Sequence, residues 1–68
     1  MLGLPSGLVY VLYEDGFCMD VAISDSLDID EAEMYRDDWS GKRGHGKVNR
    51  VILERSDGIV LKQYTFAE

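Results

Sequence analysis

The chain has 68 residues and a formal net charge of −6, with one cysteine and one histidine. A chain this short buries only about 60% of the surface that it exposes when unfolded, so it is expected to fold as a single domain, residues 1–68, with little stability to spare. A lone cysteine excludes an internal disulfide and, with one histidine, a zinc-finger site; the longest apolar run, residues 8–13, is far too short to cross a bilayer as a helix.

The N-terminal stretch MLGLPSG carries no basic residue and is broken by proline and glycine, unlike an export signal. A reduced, cytoplasmic setting without a metal or cofactor is expected. Charge is unevenly divided, with ten acids and one base in residues 1–41, against three acids and six bases in residues 42–68. An acidic total disfavours general affinity for nucleic acid or anionic lipid and leaves cationic protein surfaces open.

Residues 8–14, LVYVLYE, and 17–24, FCMDVAIS, read as two strands joined by Asp15-Gly16, a dipeptide that supplies the positive φ angles of a two-residue type I′ turn. Through that turn Leu12 would face Met19, Tyr10 would face Val21 and Leu8 would face Ile23, all on a face assigned to the core. The other face, with Val9, Val11, Tyr13, Cys18, Asp20 and Ala22, is more apolar than a solvated sheet face usually is and is expected to be covered by a partner. Cys18, in mid-strand, reads as a small buried thiol.

Residues 25–39, DSLDIDEAEMYRDDW, give the clearest helix. Asp28 can cap the first turn while Glu31 reaches back to the Asp28 amide, and Leu27 and Ala32 can form a hydrophobic staple. The spacing predicts a helix over about 29–39, with Ile29, Ala32, Tyr35 or Arg36, and Trp39 turned inward and Gly41 ending it. Asp30, Glu33 and Asp37 then share the outer face, flanked by Glu31 and Asp38.

Residues 40–47, SGKRGHGK, hold three glycines and nothing apolar, so a mobile loop is expected, with His45 exposed and unpartnered. The glycine and lysine positions match a phosphate-binding GxxxxGK loop, but Val48 stands where Ser or Thr would hold magnesium, and the segment leaves a helix instead of entering one. Residues 48–56 and 59–66 repeat the hairpin pattern around Asp57-Gly58. Pairing there groups Val51, Leu53, Val60, Tyr64 and Phe66 on one face and Val48, Ile52, Ile59 and Leu61 on the other. Two hairpins and one helix make a ββαββ order, an α+β fold with a four-stranded antiparallel sheet and the helix packed on one face.

Catalysis by carboxylates needs a pocket that shifts one of their pKa values, which a helix surface does not supply, so no enzyme activity is expected. DSLDIDE lacks the sixth-position glycine and twelfth-position glutamate of a calcium loop. In size, acidity and hairpin-helix-strand plan, though in no residue motif, the chain resembles small virus-encoded proteins that block host nucleic-acid enzymes, anti-CRISPR and polymerase inhibitors among them. The resemblance implies a non-enzymatic inhibitor. The charge pattern gives it a means: Asp30, Glu31, Glu33, Asp37 and Asp38 would occupy a basic, nucleic-acid-binding surface of another protein. A second reading is single-stranded nucleic-acid binding through Lys42, Arg43, His45, Lys47 and Arg50, with Trp39 or a tyrosine for base stacking. A two-fold homodimer is also expected, through the backs of the sheets or an edge strand, because one helix would leave Val9, Val11 and Tyr13 uncovered.

Overall fold

A computed structural model describes residues 7–66, in the order β1 (Gly7–Tyr13), β2 (Cys18–Ser24), α1 (Ile29–Trp39), β3 (Val48–Glu54) and β4 (Val60–Thr65). The reading of the first six residues as free of a targeting signal lies outside the described residues. The four strands form one antiparallel sheet in the order β2-β1-β3-β4, and α1 lies across one face of it, against β3 and more lightly against β1. The expected ββαββ, α+β architecture is the one adopted. Among the described residues no helix is long and apolar enough to cross a membrane.

Both hairpins turn through three residues, not two. The Gly16 N–H donates to the Tyr13 carbonyl at 2.9 Å, the Tyr13 N–H donates to the Phe17 carbonyl at 2.8 Å, and Gly16 takes a φ of 93°. Arg55, Gly58 and Ile59 repeat the arrangement at 2.8 and 2.7 Å, with Gly58 at 92°. Each is a type I turn closed by a glycine bulge. In each the aspartate accepts the N–H two residues on, Asp15 from Phe17 at 3.0 Å and Asp57 from Ile59 at 3.2 Å. The extra loop residue shifts the register, so Leu12 faces Cys18 and Val11 faces Met19, until a bulge at Val21 restores the expected pairing of Leu8 with Ile23.

The two hairpins meet along β1 and β3, where Val9 faces Leu53, Tyr10 faces Ile52 and Val11 faces Val51. Tyr13 and Arg55 open equivalent turns, and counting back three residues from each gives Tyr10 and Ile52, which face one another. A local two-fold axis therefore passes between them, and the helix on one face breaks that symmetry.

The helix covers the face opposite to the one the turn dipeptide suggested. Val9 and Val11 are fully buried and Tyr13 is 1% exposed, so the three residues expected on an uncovered dimer surface are instead the centre of the core. The reason lies in β3. Its Val51 and Leu53 point to one side while Arg50 and Glu54 point to the other, and pairing with β1 aligns the apolar side with Val9 and Val11. Leu27, Ala32 and Val48 complete the buried cluster, with Ala22, Tyr35, Trp39, Tyr64 and Phe66 packed around it. Two hydroxyls fasten the helix at its ends, Tyr13 donating to the Trp39 carbonyl at 2.8 Å and Tyr64 to the Leu27 carbonyl at 3.3 Å. Two further expectations fail on register: Cys18 starts β2 as an exposed thiol, and Ile29 is exposed on the helix, outside its inward stripe.

Truncating a side chain beneath the helix should cost far more than truncating one on the open face. In urea unfolding of the monomeric chain at low protein concentration, Leu53→Ala should lose about 3 kcal/mol, whereas Ile23→Ala, at a 76% exposed position, should stay within about 0.5 kcal/mol of the wild type. Equal losses would contradict this assignment of faces.

Candidate functional site

The helix starts as its sequence dictates. Asp28 accepts the Glu31 N–H at 2.9 Å and Glu31 accepts the Asp28 N–H at 3.1 Å, a complete capping box. Ala32, Tyr35 and Trp39 face the sheet, which turns Asp30, Glu33, Met34, Asp37 and Asp38 to the outside. Glu31 is half-buried and committed to the cap, and Asp37 pairs with Arg36 at 3.1 Å. Among the described residues, Asp30, Glu33 and Asp38 make no ion pair.

Met34 is the residue that the charge pattern hid. It is 48% exposed, and the positions three and four residues away on either side are Glu31, Asp30, Asp37 and Asp38, so its position on the helix surface is ringed by four acidic positions. The ring is legible in the sequence once Met34 is placed outside. Asp37 and Asp38 also sit in the last turn, where the negative end of the helix dipole disfavours them.

The basic loop is tied by hydrogen bonds to itself and to the first hairpin, and its cations do not form a single cluster. The Gly41 N–H donates to the Gly46 carbonyl at 2.9 Å and the His45 N–H to the Lys42 carbonyl at 3.0 Å, which closes the loop on itself. Glu14 then ties it to the first hairpin: its N–H donates to the Lys47 carbonyl at 3.0 Å and its carboxylate accepts the Lys47 N–H at 3.1 Å. That carboxylate lies where any side chain at Gly46 would sit, so the sequence's phosphate-loop glycine makes room for an internal anion.

His45 has partners that nothing local in the sequence announces. Its ring stacks on Phe17 with centroids 4.2 Å apart and planes 5° apart, lies 5.0 Å from the Tyr13 ring, and places Nδ1 2.5 Å from an Asp15 carboxylate oxygen. The Asp15 carboxyl is held below its ordinary pKa, chiefly by the His45 hydrogen bond and then by the Phe17 amide. Lys42, Arg43 and Lys47 remain exposed, whereas Arg50 lies in β3 opposite Leu12, on the sheet face away from the helix. The five residues of the nucleic-acid reading are thus divided between two surfaces.

Shallow grooves flank the helix at both ends. One, of about 420 Å³, is lined by Asp28, Glu31, Leu61 and Lys62; the other, of about 600 Å³, by Glu14, Arg36, Asp37, Ser40 and Lys47. In the larger groove Arg36 lies over the Phe66 ring at 4.7 Å. The Ser40 hydroxyl there already donates to the Arg36 carbonyl at 2.6 Å and accepts the Val48 N–H at 3.0 Å, a helix-ending role that occupies it. Among the described residues no three His, Cys, Asp or Glu side chains converge as a metal site would require.

A depressed carboxyl pKa stabilises the fold above the unfolded-state value, and that contribution disappears as pH falls through the folded-state value. Melting curves of Asp15→Asn and wild type should therefore converge at acid pH, below the ordinary aspartate range, and separate above it with the wild type more stable. A constant gap at every pH would remove the Asp15–His45 pair as its origin. In comparisons with known proteins, no family model, no curated sequence and no solved structure matches this chain.

Proposed function

We propose that the chain is a non-enzymatic binding protein whose acidic helix docks on a basic, nucleic-acid-binding surface of another protein, as an inhibitor that occupies the cations a nucleic acid would use. The observation that supports this reading is Met34 in its ring of Asp30, Glu31, Asp37 and Asp38. An apolar centre inside a charged rim is, in miniature, the anatomy of a protein-docking surface. Carboxylates supply the steering and the register, and Met34, adaptable in shape, supplies the desolvated contact.

The arrangement also costs the fold something. Like charges three and four residues apart repel, and Asp38 opposes the helix dipole without a cation to offset it. Asp38→Lys should therefore raise the stability of the free chain by about 0.5 kcal/mol at low salt while weakening docking.

The test uses the wild-type chain and two variants, Met34→Ala and Glu33→Lys with Asp38→Lys, each checked for helix content by circular dichroism. A basic partner captured from a host lysate by the wild type should elute at moderate salt. Met34→Ala should weaken the purified complex by tenfold or more, about 1.4 kcal/mol, and the double reversal should abolish its salt dependence. Unchanged binding by the folded double variant would overturn the proposal.

A further inference from the structure

The sheet face without a helix carries its side chains in three rows across the four strands. Backbone register places Ile23, Leu8, Glu54 and Val60 in one row, Asp20, Tyr10, Ile52 and Gln63 in the next, and Cys18, Leu12, Arg50 and Thr65 in the third. Ile23 and Val60 are exposed, and Leu8, Tyr10 and Leu12 are half-buried. Burial, followed by the nearby charge of Glu54, raises the Tyr10 phenol above its ordinary pKa. The face is already partly dry.

Two charges stand on this face in β3, Arg50 and Glu54, each two residues from Ile52 in opposite directions. Two residues of strand put each roughly 7 Å from Ile52, too far apart to meet within one chain. Among the described residues neither makes an ion pair, and the Arg50 Nε is buried without a hydrogen-bond partner. A buried, unpaired guanidinium nitrogen is costly and calls for an acceptor.

We infer that this face binds a second copy of the chain, back to back, about a two-fold axis running across the strands along the Tyr10–Ile52 row. Such an axis reverses the strands of the partner and leaves the middle row facing itself. Arg50 then lies over the partner's Glu54, and Glu54 over the partner's Arg50, across the roughly 10 Å that separates packed sheets. The same operation sets Leu8 over the partner's Leu12 and Ile23 over the partner's Cys18, so apolar meets apolar where charge does not meet charge. Asp20 falls on the edge strand at the rim, in water, where repulsion from its own copy is screened. A two-fold axis along the strands would instead put Arg50 over a leucine, and the charges select against it. Both acidic helices remain on the outer faces of this dimer, so dimerisation and helix docking are independent.

Charge exchange tests the pairing. Sedimentation equilibrium at tens of micromolar should show a wild-type dimer. Arg50→Glu and Glu54→Arg should each weaken it by tenfold or more, because each single change sets like charges against one another twice. The double exchange, Arg50→Glu with Glu54→Arg, should restore the dimer, because the symmetry pairs each position with the other. Circular dichroism confirms that each variant is folded. A monomeric wild type, single reversals that leave the dimer intact, or a folded double exchange that fails to restore it would each overturn the inference.

Discussion

The contact between Val9 and Val11 of β1 and Val51 and Leu53 of β3 holds the molecule together, because every other element is attached to it. These four side chains are at most 2% exposed, and they form the floor on which α1 rests. The three valines, β-branched and compact, leave height above the sheet for the larger rings of Tyr35 and Trp39. The outer strands only extend this pair sideways, and β4 is exposed along most of its length. Tyr13 spans the layers, its ring in the core and its hydroxyl on the helix end, so the same residue that closes the first turn also fixes how far the helix can tilt.

Much of this was written locally. The capping box, both helix ends and the acidic outer face followed from side chains three and four residues apart, and the sheet from two apolar runs around each Asp-Gly. The wrong core face came from a different source. β1 is apolar on both sides, Leu8, Tyr10 and Leu12 against Val9, Val11 and Tyr13, so its own pattern could not choose; the choice lay with β3 and with a turn one residue longer than the dipeptide implied. His45 was misread for the same reason. Its partners Asp15 and Phe17 are about thirty residues away and reach it only because the loop and the first turn meet at one end of the sheet.

Charge is unevenly spread over the surface. Carboxylates crowd the solvent side of the helix, while most cations lie in the loop, the second turn and β3; Arg36 on the helix and Lys62, which pairs with Leu53 from β4, stand on the helix side. The two hairpin-turn aspartates are held locally, Asp57 in an ion pair with Arg55 at 2.6 Å and Asp15 in a hydrogen bond with His45. Asp57 is accordingly held below its ordinary pKa, chiefly by the Arg55 hydrogen bond. The helix carboxylates have little of this. Their field therefore extends outward within a Debye length of about 8 Å at physiological ionic strength, offset on the helix only by the Arg36–Asp37 pair.

The strand order β2-β1-β3-β4 has a kinetic consequence. Each hairpin joins neighbours in sequence across a three-residue turn and can form within about 1–10 µs. The ladder between β1 and β3 is different, since pairing Leu8 with Glu54 and Tyr13 with Val48 closes a loop that contains β2, the helix and the glycine-rich segment. That closure carries the largest chain-entropy cost in the molecule, and the side chains that compensate for it, Val9, Val11, Val51 and Leu53, touch only once it is complete. Docking of the two hairpins is therefore expected to be the slow event in folding, with the helix carried on the tether between them.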